Sequence, residues 1–202
     1  MRHFKAIKNL PLKTFSLVLL TGLLLGSPVV YGQSPAEMDS LEQVYLQGAF
    51  QPEDSLKLLN SITYGYHDPQ KVLQYGKEMV SVARRQDSAH RIYQGYLQLG
   101  NGYSRLGNQA EALENYFLAA NYADSTGSAS RLGSIYVTIA DVYNMMDNSE
   151  NALGYYRRAI DILRKTTDTL SLATGLANAG DYFYKEGELD SALVYFEESG
   201  AL

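Results

Sequence analysis

The feature that most constrains this chain is that it repeats itself at a fixed interval. The stretch "NQAEALENYF" beginning at residue 108 lines up with "NSENALGYYR" at 148 and "ELDSALVYFE" at 188, and "DPQKVLQYGK" at 68 takes the same place upstream, a period of 40. Self-similarity of this kind marks an array of like units, each of which buries its apolar face only by stacking on its neighbours. Within each unit the apolar residues recur twice at helical spacing with a break between, so each unit reads as a helical hairpin. Asn108, Asn148 and the "HDP" turn at 67 to 69 place helix-starting residues at those breaks, because Asn and Asp side chains accept from free helix N-terminal amides and proline suits the first helical turn.

The signature within the units is specific. The second unit reads Tyr96-x2-Leu99-Gly100-x2-Tyr103 and then Ala112-x3-Tyr116; the third reads Tyr136-x2-Ile139-Ala140-x2-Tyr143 and then Ala152-x3-Tyr156; the fourth reads Leu176-x2-Ala179-Gly180-x2-Phe183 and then Ala192-x3-Phe196. This resembles the tetratricopeptide repeat, W-x2-L-G-x2-Y followed by A-x3-F. The first unit, Leu56-x2-Leu59-Asn60-x2-Thr63 and then Val72-x3-Gly76, keeps the periodicity and loses the aromatic and small residues. The closing proline of the family is missing, and the usual period of about 34 residues is stretched, an extension expected in longer helix ends and in the linkers "RRQDSAHR", "DSTGSASR" and "KTTDTLSL".

The resemblance implies an all-α, right-handed α-solenoid of about four hairpins, with units at 53–92, 93–132, 133–172 and 173–202. Ahead of them, residues 33–52 carry Met38, Leu41, Tyr45 and Phe50 on one helical stripe, a short helix that caps the array. The other end offers no polar capping helix after "FEESGAL", which leaves continuation, a partner or self-association through the C-terminal helix open.

Glycine and tyrosine usage follows from packing. Gly100 falls level with Ala140 and Gly180, so the position calls for little or no side chain where two helices touch; Gly107 and Gly187 flank hairpin turns that need positive φ, and Gly102 has no counterpart. A phosphate-binding loop is excluded for "LGNGYSRLGNQ", since no Lys-Ser/Thr pair follows and no strand precedes it. Tyr96, Tyr103, Tyr116, Tyr136, Tyr143 and Tyr156 read as core aromatics of the hairpin seams.

The first 32 residues differ from the rest. "MRHFKAIKNLPLK" is basic, "TFSLVLLTGLLLG" is apolar and "SPVVYGQ" closes with small residues, the order of a secretory signal peptide, with Val30 and Gly32 ahead of the cleavage point. A retained signal anchor is the alternative, although the apolar block is shorter than the 20 or so residues a spanning helix needs; either route puts the remainder in the periplasm or otherwise on the extracytoplasmic side. Of the 17 basic residues four lie in this leader, leaving 13 against 22 acidic ones. That balance disfavours nucleic acid and anionic membrane surfaces as partners.

No catalytic, metal or cofactor set emerges. The chain has no cysteine, and beyond the leader the histidines are His67 and His90, without metal-binding or nucleophile-activating spacing. The expectation is a protein that is not an enzyme and needs no cofactor. Stacked hairpins bind partners along the face made by their first helices, where Asn101 and Arg105, Asp141 and Asn144, and Asn178, Asp181, Tyr184 and Lys185 point away from the seam. Asn101, Asp141 and Asp181 recur at 40-residue spacing. They are equally consistent with an ordinary hydrated helix face. Some members of the family hold C-terminal carboxylates through lysines and an asparagine; Asp141 and Asp181 in place of a full basic set disfavour anionic tails here and favour a basic or neutral polar segment.

From residue 37 onward, with "IADVYNMMDNSENALGYYRRAIDILR" and "NAGDYFYKEGELDSALVYFEESG" behind an export signal, the chain also resembles the N-terminal extracytoplasmic region of bacterial membrane sensors, where such repeats precede a membrane helix and an adenylate/guanylate cyclase or histidine kinase domain. The resemblance implies a noncatalytic protein- or peptide-binding segment for sensing or scaffolding. Two alternatives stay open: a free-standing periplasmic assembly scaffold, and the regulatory fragment of a membrane cyclase or kinase, tethered through a downstream region.

Overall fold

A computed structural model describes residues 34–202; the leader expected at 1–32 lies outside the described residues. Those residues form α-helices joined by short turns, with no strand among them. In order they are α1 (Pro35–Leu46), a 3-10 turn (Pro52–Asp54), α2 (Ser55–Gly65), α3 (Pro69–Arg85), α4 (Ala89–Arg105), α5 (Gln109–Ser125), α6 (Ala129–Met145), α7 (Ser149–Leu163), α8 (Thr169–Lys185) and α9 (Leu189–Gly200). Each helix packs chiefly on its sequence neighbours, and first helices of successive hairpins also touch, as α6 and α8 do. The result is an α-solenoid of helical hairpins. No helix among the described residues is long and apolar enough to cross a membrane.

The 40-residue period resolves into two equal halves. Helices α3 to α9 start at residues 69, 89, 109, 129, 149, 169 and 189, and five of these seven are 17 residues long. The stretch relative to the family therefore lies in the helices, not in the linkers. Unit edges drawn at 92/93, 132/133 and 172/173 fall inside α4, α6 and α8; the turns come earlier, at 86–88, 126–128 and 164–168. Each of these helices begins four residues, about one turn, ahead of the edge.

Helices α3, α4, α5, α6 and α8 end at a residue in the left-handed region, found at Asp87 (φ 48), Gly107 (φ 79), Gly127 (φ 66), Asp147 (φ 55) and Gly187 (φ 79). The amide of the next residue then reaches back five positions, Ser88 to Ala83, Asn108 to Tyr103, Ser128 to Ala123, Asn148 to Tyr143 and Glu188 to Phe183, at 2.9 to 3.0 Å. This satisfies a carbonyl that the helix end would leave free. The α7–α8 connection departs from the pattern: Thr166 Oγ1 donates to Leu163 O and accepts from the Asp168 amide, and α7 is 15 residues long. The expected starting signals hold at Asp68 and Asn148, whose side chains accept from the Gln70 and Asn151 amides, and Asp168 caps α8 in the same way through the Ser171 amide. Asn108 occupies the same position, but its side chain makes no capping bond.

Buried side chains form two clusters meeting in α6, with Ile135, Ile139 and Val142 in the first and Val137 and Ala140 in the second. Half-buried Tyr136, Tyr143 and Tyr155 pack against both. Tyr143 stacks on Tyr155, with an interplanar angle of 14°, and 40 residues later Phe183 stacks on Tyr195 at the same angle. Gly100 lies where the Tyr116 ring crosses α4, a Cβ there falling 2.4 Å from the ring, and Gly180 meets Phe196 the same way. Gly102 has its own reason: its missing side chain admits Leu73 from the preceding hairpin. Of the signature side chains, Phe196 departs from the buried pattern and is 42% exposed.

Candidate functional site

The first helices α4, α6 and α8 present three equivalent polar positions, and the structure uses them differently. Asn101 accepts a 2.8 Å hydrogen bond from the Tyr116 hydroxyl. Asp141 accepts one of 2.6 Å from Tyr156, the same bond one repeat later, because Tyr116 and Tyr156 both rise from the second helix at the level of the small residue 100 or 140. Asp141 also receives the Asn178 amide from α8 at 3.0 and 3.1 Å. In the last unit Phe196 has no hydroxyl, and exposed Asp181 pairs instead with Lys185 at 2.7 Å.

The eight residues expected to face a partner therefore divide. Asn101, Asp141, Asn144 and Asn178 are half-buried, and three of them brace the solenoid through the bonds just described. Arg105, Asp181, Tyr184 and Lys185 are exposed, although Arg105 also donates to the Tyr66 carbonyl at 3.3 Å. Asn101 and Asp141 were expected to point away from the hairpin seam, but a tyrosine 15 residues further along reaches back to each of them.

Burial sets the electrostatics of this row. It pushes the Asp141 carboxyl above the ordinary carboxylate range, an effect that the hydrogen bonds from Tyr156 and Asn178 oppose. Burial together with the Asp141 charge raises the Tyr156 hydroxyl strongly, and burial takes Tyr116 to about 12. A row with one half-buried and one exposed carboxylate can accept hydrogen bonds or attract cationic groups. It holds no nucleophile-base pair.

A second polar cluster, at the other end of the chain, was not expected. Glu42 of α1 is 8% exposed, ion-paired with Lys71, and accepts from the hydroxyls of Tyr66 at 2.7 Å and Tyr75 at 2.5 Å. Burial opposes its charge, but these donors and the lysine overcome it and hold the carboxyl down at about 2. With Met38 and Leu41 also buried, Glu42 fixes α1 over α2 and α3. The available signal was an acid one position off the Met38, Leu41, Tyr45 stripe.

Among the described residues no group of three or more His, Asp or Glu side chains is arranged to hold a metal ion. His90 is shifted to a lower pKa by burial and by the charges of Arg131 and Arg91, with no catalytic partner at hydrogen-bond distance among the described residues. A cavity of about 270 Å³ lies at the other end of α6 from Asp141, against Leu132, Ile162 and Lys165; its lining offers Lys165 and Asp124 as its only charged groups and no convergent polar set.

Comparison with known proteins agrees with this architecture. The tetratricopeptide-repeat family profile matches residues 131–201, less than half of the chain. Alpha-soluble NSF attachment protein of Vitis vinifera is 24% identical over 123 residues, 61% of this chain and 42% of that protein, so the chain spans well under half of that relative's length. Among solved structures, aspartyl phosphate phosphatase F from Bacillus subtilis superposes with a TM-score of 0.76 at 15% identity, over 82% of this chain and 45% of that one. A Rap protein complexed with competence and sporulation factor gives 0.71 at 13% identity, over 94% and 52%. At such identities the structures speak for the fold. The family match shows tetratricopeptide-repeat sequence over residues 131–201, and these neighbours show the fold of an α-solenoid of helical hairpins.

Proposed function

We propose that this chain is a noncatalytic module that binds a protein or peptide segment along the face of α4, α6 and α8, and that it does so on the extracytoplasmic side as the sensing or scaffolding segment of a signal-transduction protein. The observation carrying the binding role is the repetition of polar groups at 40-residue spacing on these helices, held in fixed positions by the tyrosine clamps at Asn101 and Asp141. The segment that fits is basic or neutral polar, since the exposed groups of the row include the Asp181 carboxylate, paired only with solvated Lys185, and Tyr184. The neighbouring Rap protein, which is complexed with competence and sporulation factor, supports a bound signal factor as the kind of ligand. The basic, apolar and small-residue order of residues 1–32 supports export.

The binding role is tested on an array of peptides differing in charge. Basic and neutral polar peptides should be retained over acidic ones, and Asp181→Lys should reverse or abolish that preference; retention indifferent to Asp181→Lys and Arg105→Glu overturns the assignment of this face. Location is tested by mass spectrometry of fractionated cells: loss of residues 1–32 with recovery outside the cytoplasm is expected, and an intact cytoplasmic chain refutes export. An immunoblot of the native protein separates the sensing role, a larger membrane-bound product, from the scaffold, a soluble product of this length.

A further inference from the structure

The recess between the start of α6 and the end of α7 has a filled counterpart one unit earlier. There Tyr122, near the end of α5, packs on the cluster that holds Ile92, and Ile92 is 5% exposed. The Tyr122 ring stacks on Tyr96 with centroids 5.9 Å apart, and Arg84 donates to the Tyr96 hydroxyl. Forty residues on, Ile162 stands in the place of Tyr122, Leu132 in that of Ile92 and Asp124 in that of Arg84. Tyr136, the counterpart of Tyr96, meets Tyr155 edge-on instead, at 5.4 Å. An aliphatic side chain thus stands where the earlier unit has a ring. Leu132 is only half-buried, and Leu132, Ile162 and the α5–α6 turn line the cavity of about 270 Å³.

The rim has also changed sign. Asp124 and Lys165 border the cavity and are exposed, and neither has an ion-pair partner among the described residues. An ionised carboxylate only accepts hydrogen bonds, so a group that enters beside Asp124 has to bring a donor. Pockets that take whole drug-sized ligands run to about 300–1,000 Å³; this one suits a single side chain. Elsewhere in the chain, carboxylates next to aromatic residues receive the phenol hydroxyl, as Asp141 does from Tyr156 and Glu42 from Tyr66. A lysine, Lys71, lies over the Tyr66 ring.

We infer that this recess is a docking site for a tyrosine side chain carried by a partner protein, its ring against Leu132 and Ile162 and its hydroxyl donating to Asp124. Burial of the ring supplies the affinity, and Asp124 supplies the preference for tyrosine over phenylalanine. Lys165 offers the ring the cation that Lys71 offers Tyr66. The lining includes none of the residues placed on the α4, α6, α8 face, so this site stands or falls independently of the ligand proposed there.

The probes are acetyl-glycyl-tyrosyl-glycinamide and its phenylalanine and leucine versions, titrated into the full chain with the leucine and isoleucine methyls followed by NMR. The Leu132 methyls should shift saturably with the tyrosine peptide, at least threefold more weakly with phenylalanine, and at least tenfold more weakly with leucine. Asp124→Ala should bring tyrosine down to phenylalanine. Ile162→Tyr, which rebuilds the arrangement of Tyr122, should weaken the tyrosine peptide at least tenfold, whereas Asp181→Lys should leave it unchanged; circular dichroism checks that each variant stays folded. Absence of a saturable shift, equal binding of the leucine peptide, a tyrosine preference that survives Asp124→Ala, or binding that Ile162→Tyr leaves intact overturns the proposal. So does p-cresol binding tenfold tighter than the tyrosine peptide, which would make a small phenol the occupant.

Discussion

The Tyr156 hydroxyl and the Asp141 carboxylate lie 2.6 Å apart, and the same carboxylate holds the Asn178 amide of the next hairpin. One acidic side chain thus joins the two helices of a hairpin and ties that hairpin to its successor. Asp141→Ala strips both donors of their acceptor in a half-buried setting, which costs about 1 to 3 kcal/mol; urea denaturation of the variant reads the loss directly.

The pH dependence of that clamp has a definite sign. Burial raises the Asp141 carboxyl in the folded chain, so between its unfolded and folded pKa values the native state binds more protons than the unfolded one. Stability from this group is then greatest below the unfolded value, about 4, and declines as pH rises through the folded one. Relative to Asp141→Asn, which does not titrate, the parent chain should gain stability as pH is lowered from 7 toward 4. A constant difference across that range would refute the assignment.

Glu42 behaves in the opposite way. Its folded pKa, lowered to about 2, lies below the unfolded glutamate value, so its contribution is present above about 4.3 and is lost as pH falls toward 2. Glu42→Gln should cost about 1.5 to 3 kcal/mol at neutral pH, the range for hydrogen bonds to charged groups, and the difference from the parent should shrink over that acid window. Hydrogen exchange would place the loosening in α1, which touches the array chiefly through α2.

The repeat, the helical hairpins and the packing role of Gly100 and Gly180 were legible in the sequence because each is a periodic pattern, and period is what a linear text displays. Positive φ at Gly107 and Gly187 was legible for the same reason. Its extension to Asp87 and Asp147 was not, since an aspartate in that slot looks like a helix cap until the backbone is seen. Exposure was legible at Asp181, Tyr184 and Lys185, while the engagement of Asn101 and Asp141 by tyrosine hydroxyls was not. Whether a polar residue on a first helix is free depends on the side chain 15 positions ahead, and the tyrosines there had been accounted for by their rings alone, without their hydroxyls.

The turns offer a test confined to the backbone. Asp147 sits at φ 55 where Gly107 and Gly187 sit at φ 79, and a side chain in that region costs up to about 1 to 2 kcal/mol, less for Asp than for most residues. Asp147→Gly should therefore stabilise by a few tenths to about 1 kcal/mol, while Gly107→Ala should destabilise by about 1 kcal/mol or more. Nothing lies within 4 Å of a Cβ built on Gly107, so a loss there isolates strain from crowding. Thermal melts of the two variants should move in opposite directions.

The last hairpin lacks the clamp that the two before it possess, and a single oxygen would restore it. Phe196 lies over Gly180 as Tyr116 lies over Gly100, so the para position of its ring approaches Asp181 as the Tyr116 hydroxyl approaches Asn101. Phe196→Tyr should add the missing bond and stabilise the hairpin by about 0.5 to 1 kcal/mol, toward the low end for a hydrogen bond because the site is partly solvated. The gain should vanish in an Asp181→Ala background, which a double-mutant cycle measures. If Phe196→Tyr stabilises equally with and without Asp181, the hydroxyl is reaching water, and the equivalence of Asp181 with Asn101 and Asp141 fails at the level of geometry.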